Sequence, residues 1–252
     1  MFKKKSQSEP KHTHEAEMSF LDHLEELRWR IFYTLIGIVL GMIVAWIFIN
    51  FLVDDVLLLP ARTAKLKLQN LQPFGQLFLY LEVALITGLV ISIPNLFYQL
   101  WKFISPALKE NEKKYIVFIV FSSSFCFMLG IVFAYYLMLP MTLSFAMQFG
   151  TPAIENNIAV TEYFSIIISV MLAAGIVFEL PVLSFILSRI GILNPGIMKK
   201  YRKHSIVVIM ILSAILTPGT DPVAQVILGI PLVLLYEISI LVSKIARRKS
   251  EN

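Results

Sequence analysis

Ser19-Phe20-Leu21-Asp22-His23-Leu24-Glu25-Glu26-Leu27-Arg28-Trp29-Arg30 runs without interruption into Ile31–Val53, a stretch that carries no charge. The first part reads as a helix. Phe20, Leu24, Leu27 and Ile31 recur at i, i+4, i+7 and i+11, one narrow apolar stripe at about 100° per residue. Ser19 with Asp22 three positions on is a capping-box pattern, which starts the helix there. The second part exceeds the roughly 20 apolar residues that cross a hydrocarbon core of about 30 Å. A membrane-surface helix feeding a membrane span is therefore expected, with Asp22, Glu25 and Glu26 toward water. Its sign is unusual, because an anionic leaflet favours lysine and arginine on such a face. Two readings follow. The acids receive a basic partner, or Glu26 with Arg30 and Glu25 with Arg28 neutralise each other locally, at about 0.2 to 0.5 kcal/mol per pair.

The rest of the chain agrees with a membrane protein. Its 252 residues are 57% hydrophobic and only 15% charged, against about 25% charged in a soluble domain. Polar Met1–Glu17 ahead of a long apolar run predicts that the run is retained as a span rather than removed as a signal peptide. Further spans are expected at Phe74–Leu100, Tyr115–Leu139 stopped by Pro140, and Tyr163–Ser188, with loops at Asp54–Gln72, Trp101–Lys114 and Met141–Glu162. Ser205–Leu216 supplies only about 18 Å of helix, and Val223–Ser243 is interrupted by Pro231, so the fifth and sixth spans read as a short hairpin. Of the 22 lysines and arginines, only Arg62, Lys65 and Lys67 fall on one side. By the positive-inside rule both termini are cytoplasmic. The expected fold is an all-α membrane protein of six transmembrane helices: a polar tail at 1–18, one membrane domain over 19–243, and a basic tail at 244–252.

Catalysis finds little footing. His12, His14, His23 and His204 lie outside or at the edge of the spans, so no intramembrane serine–histidine pair is available. The single cysteine, Cys126, lies in an apolar run and excludes an internal disulfide. Clustered metal ligands and glycine-rich phosphate loops are missing from the sequence, and the basic balance points to orientation in a bilayer rather than to nucleic acid. No enzyme activity and no cofactor are expected. On the basic side, Glu112 joins Glu26, and two carboxylates there suit two guanidinium groups, unless Glu110 and Glu112 merely balance neighbouring lysines. Trp101 is read as an interface anchor, and Ser105-Pro106 as the restart of a short helix. Within the spans, Glu82, Glu179 and Glu237 are costly to bury, about 2.5 to 3.5 kcal/mol for a charge at mid-span. Glu179, deepest and followed by Pro181, is expected to face a hydrated cavity or a partner. Ala214, Thr217 and Gln225 on the hairpin are candidates for docking a partner helix. A receptor and scaffold for a translocated partner, or a small proton-coupled permease using Glu179, are the two function classes.

The chain resembles the TatC family, the core subunit of the twin-arginine protein translocase. The matching pieces are His23-Leu24-Glu25-Glu26-Leu27-Arg28; Tyr98-Gln99-Leu100-Trp101 with Phe103, Pro106-Ala107-Leu108 and Glu112; Gly130 with Phe133-Ala134-Tyr135; Phe178-Glu179-Leu180-Pro181; Thr217-Pro218 with Asp221; and Ile230-Pro231-Leu232 with Tyr236-Glu237-Ile238. The resemblance implies a receptor in the bacterial cytoplasmic membrane that binds twin-arginine signal peptides of folded cargo. It implies Glu26, Glu112, Phe103 and Pro106 in the signal-peptide site and Glu179 as the buried acid of the fourth span. It places Thr217 and Gln225 at the docking site for single-span TatA and TatB partners. Other copies of the chain and membrane lipid complete the implied partners, and the proton-motive force the energy source.

Overall fold

Helix α1 (Phe20–Ile47) is unbroken from the polar turns into the apolar run. The computed structural model describes residues 20–105, 116–146, 157–216 and 222–248. The opening stretch is thus the first turns of the first span, not a separate helix lying on a surface. Nothing in it interrupts the helical hydrogen-bond ladder, since it contains neither proline nor glycine before Gly37.

After α1 the chain continues through a π-helical turn (Phe51–Leu57), α2 (Leu59–Thr63) and strand β1 (Lys67–Gln69). Helices α3 (Gly75–Ile91) and α4 (Ile93–Ile104) form one pair bent by 54°. The bend falls at Ser92, just before Pro94, whose ring cannot sit inside a straight helix. Residues expected to form a loop from Trp101 are helical through Ile104, and the Ser105-Pro106 restart lies outside the described residues from Pro106 on. The third span is α5 (Ile116–Phe133), a π-turn (Ala134–Met138) and α6 (Leu139–Ala146). Pro140 does not stop it. The wider π-turn ahead of the proline absorbs the missing N–H, as the Phe51–Leu57 turn does ahead of Pro60.

Strand β2 (Asn157–Ala159) pairs in parallel with β1, Leu68 opposite Ile158. This ladder ties together two connections that the sequence reading takes as separate loops. Helices α7 (Val160–Val177) and α8 (Leu180–Arg189) follow, parted at Phe178-Glu179 before Pro181, then α9 (Pro195–Lys200), α10 (Arg202–Leu216) and α11 (Pro222–Arg248). The last helix is longer than expected. It holds 27 residues and passes through Pro231, although the part long and apolar enough to cross a membrane is Gly229–Ala246. Among the described residues, four helical stretches meet that requirement, five with the bent α3–α4 pair; α10, at 15 residues, falls short.

Lipid tails are as apolar as leucine, so helices in a bilayer associate by close packing and by hydrogen bonds rather than by hydrophobic burial. Phe32, Val117, Phe121 and Phe125 point outward, more than half exposed. The contacts inward are intimate. A methyl group on Gly41 would lie 2.5 Å from the Gly88 carbonyl oxygen, so α1 and α3 touch backbone to backbone. At Gly130 a methyl would come within 2.6 Å of the Ala174 carbonyl, the same device between α5 and α7. Between α8 and α11 the buried hydroxyls of Ser188 and Ser243 hydrogen-bond directly.

Two tyrosines close the backbone around Pro60. Proline has no N–H to give the Val56 carbonyl four residues earlier; a backbone N–H at the end of the π-turn reaches that carbonyl, and the Tyr135 hydroxyl also donates to it at 2.6 Å. One position on, the buried Tyr163 hydroxyl stands between the Leu57 carbonyl and the Ala61 N–H, donating to the first at 2.8 Å and accepting from the second at 3.0 Å. Tyr163→Phe leaves both groups unpaired in the core and is expected to destabilise the protein by about 1 to 3 kcal/mol, more than Tyr135→Phe, which loses one bond. Unfolding of the purified variants in detergent, followed by fluorescence-detected size exclusion, measures the difference; an unchanged Tyr163→Phe midpoint would show that the bridge does not hold this corner.

Candidate functional site

The face of α1 turned toward the protein is the polar one. His23, Glu26, Leu27 and Arg30 are half-buried, while Leu24 and Ile31 of the expected apolar stripe are exposed at 45% and 51%. The reason is α4, which runs antiparallel to α1 and brings its own polar residues to the same seam. Arg30 Nη2 donates to Glu26 Oε1 at 2.7 Å and Nη1 donates to Gln99 Oε1 at 3.2 Å. Gln99 in turn donates to Asn95 Oδ1 at 3.4 Å, and Asn95 donates to the Tyr33 carbonyl at 3.2 Å. The His23 and Phe103 rings stack at 4.3 Å with their planes 15° apart.

Both local pairs read from the sequence are formed. Glu25–Arg28 is exposed at 3.3 Å, whereas the side chains of Glu26 and Arg30 are only 18% and 17% exposed. Glu26 is not used up by its partner, since its Oε2 is buried and accepts no hydrogen bond. A buried carboxylate oxygen without a donor is costly, and it marks where a donor from outside can bind. A cavity of about 190 Å³ between α1 and α4 is lined by Arg30 and Gln99 together with Leu27, Leu96 and Phe103 among others, and Glu26 is not in its wall. Glu112 and Pro106 lie outside the described residues.

Glu179 sits in the break between α7 and α8 and is 6% exposed. Its carboxyl is held against α5 by the Ser123 hydroxyl and the Phe127 backbone, and Oε1 has no partner. An apolar cavity of about 360 Å³ between α5, α8 and α11 is lined by Cys126, Pro181, Val182, Phe185 and Val242 among others, and Glu179 is not in its wall. Three other readings are corrected or refined. Trp101 is no interface anchor: it is buried against Ile119, Val182 and Ile186, because α4 carries it under α5. Glu82 lies exposed on the outer face of α3 rather than buried. Glu237 pairs with Arg202 across α10 and α11 at 2.7 Å.

On the hairpin, the half-buried Gln225 donates to the Met210 carbonyl at 2.8 Å, so this polar group joins α11 to α10. Ala214 is exposed on α10, and Thr217 lies outside the described residues. Asn95 and Gln99 carry a signal that sequence reading passes over: two amides four residues apart on one face of a membrane helix, where an unpaired amide is disfavoured.

The family model for TatC, Sec-independent protein translocase protein, matches residues 22–231 of this chain. A Sec-independent protein translocase protein TatC of Carboxydothermus hydrogenoformans is 34% identical over 232 residues, 92% of this chain and 95% of its own. That of Aquifex aeolicus is 34% identical over 238 residues, 93% of this chain and 98% of its own. A crystal structure of the twin arginine translocase receptor TatC superposes with a TM-score of 0.77 at 35% identity, covering 89% of this chain and 99% of that one.

The packing of Glu179 against Ser123 generates a stability test. Glu179→Gln keeps a group that can bond to the Ser123 hydroxyl and is expected to retain the wild-type unfolding midpoint. Glu179→Ala leaves the buried hydroxyl unpaired and is expected to lose about 1 to 3 kcal/mol. Equal midpoints for the Gln and Ala variants would mean that the carboxyl contributes nothing to the α5–α8 contact.

Proposed function

Because the chain belongs to the TatC family of Sec-independent protein translocase proteins, we propose that it is a receptor for twin-arginine signal peptides and a scaffold for single-span partners of the TatA and TatB type. The observation that carries this reading is the Glu26 carboxylate, half-buried in the α1–α4 seam with one oxygen lacking a donor. A guanidinium is the group that fits, since its planar fork places two N–H donors on one carboxylate where an ammonium places one. In this reading Glu112 takes the second arginine, and Phe103 and Pro106 contribute to the same signal-peptide site. The chain crosses a bacterial cytoplasmic membrane six times in this reading, α10 being the short fifth span, and both termini are cytoplasmic. Ala214, Thr217 and Gln225 form the docking surface on the α10–α11 hairpin. Export of folded cargo draws on the proton-motive force, and the chain itself catalyses no reaction.

Binding of a fluorescent peptide carrying Arg-Arg ahead of an apolar segment, to the purified chain in nanodiscs, tests the receptor. A charge-assisted pair of about 1.5 to 3 kcal/mol converts to roughly a 10- to 150-fold loss for Glu26→Ala, with little binding left in the Glu26→Ala, Glu112→Ala double variant. Undiminished binding by the double variant would remove both residues from the site.

The hairpin has its own check. Cysteines at 214, 217 and 225 are expected to cross-link to a single-span partner in native membranes, and cross-links to lipid or to distant spans alone would count against docking there. The permease reading separates from the receptor reading at Glu179. An obligatory proton carrier cannot work as an amide, so Glu179→Gln would abolish transport, whereas the receptor reading expects Glu179→Gln to export a folded reporter nearly as well as wild type at equal membrane abundance.

A further inference from the structure

Glu26 and Arg30 cancel each other's charge, with their contact at 2.7 Å and both side chains less than one-fifth exposed. Glu25 and Arg28 cancel in the same way on the exposed side of α1. A neutral pair holds no net attraction for an incoming cation. We propose that Arg30 is a resident competitor: in the empty receptor its guanidinium occupies the place on Glu26 that the arginine of the signal peptide takes, and Gln99 is the acceptor onto which it withdraws. The proposal rests on the receptor role of Glu26 argued above.

Three features carry it. Gln99 Oε1 already accepts from Arg30 Nη1 at 3.2 Å, so the second home exists without any shift of backbone. Gln99 is held in that orientation by donating its amide to Asn95 Oδ1, which leaves its oxygen toward Arg30. Glu26 Oε2, buried and without a donor, gives the incoming guanidinium a first hydrogen bond while Arg30 still holds Oε1. The exchange therefore passes through a shared carboxylate and never through a bare buried charge, which is the costly state. Selectivity follows from the identity of the competitor. Guanidinium replacing guanidinium is close to balanced, whereas a lysine must displace a group that binds carboxylate better than it does. Glu26 stays essential even so, because without it the Arg30 guanidinium faces the incoming cation unneutralised and repels it.

The test compares dissociation constants of two fluorescent peptides, Arg-Arg and Lys-Lys ahead of the same apolar segment, for the full chain in nanodiscs. Arg30→Gln is expected to bind the Arg-Arg peptide about two- to fivefold tighter and to narrow the ratio between the two peptides. Gln99→Glu, which gives Arg30 a charged alternative acceptor, is expected to tighten binding as well; Gln99→Leu, which removes that acceptor, is expected to weaken it. The change of one charge by itself tightens both peptides by a similar factor, so the narrowed ratio between them is the result that identifies a competitor, and an unchanged ratio overturns it. Unchanged or weaker Arg-Arg binding in both Arg30→Gln and Gln99→Glu, with Glu26→Gln still defective, overturns the competitor and leaves the receptor reading standing. Wild-type binding by Glu26→Gln overturns the receptor reading itself. Should Arg30→Gln fail to accumulate, Gln99→Glu decides alone, since it keeps the shape of every side chain in the seam.

Discussion

The approach of α1 to α3 at Gly41 and Gly88 is the contact on which the seam between α1 and α4 depends. Two backbones meet there with no room for a methyl group on either side. In a bilayer such closeness supplies the packing that hydrophobic burial cannot, and it fixes the relative height of the two helices to within a fraction of a turn. From that crossing the antiparallel register runs on without a slip: Gly37 lies against Asn95 and Ser92, Tyr33 accepts from Asn95, Arg30 reaches Gln99, and His23 stacks on Phe103. The bend at Ser92 keeps α4 following α1 beyond the point where a straight α3 would diverge. A residue that touches no ligand thus decides where Glu26 stands.

Prolines set the second theme. Pro60, Pro94, Pro140 and Pro181 each remove a backbone donor inside or beside a helical stretch, and the structure answers each locally. Two are preceded by π-turns, one coincides with a bend, and one with the break that holds Glu179. A freed carbonyl that is buried within the protein still needs a donor. Tyr135 and Tyr163 meet that demand around Pro60, and the short β1–β2 ladder places the start of α7 so that Tyr163 falls beneath the turn. The irregular backbone opposite the Glu26 seam is therefore tied down by side chains three helices away.

The charges divide by depth in the same spirit. Glu25–Arg28 and Arg202–Glu237 are exposed pairs of small energetic weight. Glu26–Arg30 is drier and hence both stronger and more consequential to break. Glu179 lies deepest and is held by a hydroxyl and a backbone group rather than by a cation. A Glu26 carboxylate with neither oxygen paired would be costly in this seam. A carboxylate half-satisfied by an internal arginine is tolerable at rest and still open at one oxygen.

By itself the sequence determined the class of the protein and the positions of most spans, which follow from composition and apolar run length, and it offered the local pairs Glu26–Arg30 and Glu25–Arg28 as one of two alternatives, since these follow from spacing within one helix. It also marked Glu179 as an acid deep in a span, since apolar surroundings on either side are visible in one dimension, whereas the bond from Gln225 to the Met210 carbonyl was not legible there. Only the tertiary structure decided which face of α1 turns inward. In water Leu24 and Ile31 would turn inward, but in a bilayer apolar side chains are equally at home in lipid, so these two are exposed while Glu26 and Arg30, with Leu27 between them, turn inward and Arg30 meets Gln99. The tertiary structure likewise decided that Pro140 and Pro231 stay within helices, that Trp101 is buried, and that β1 pairs with β2. Each depends on what a distant segment offers to a freed carbonyl, a ring or a strand edge, and nothing in the local sequence carries that information.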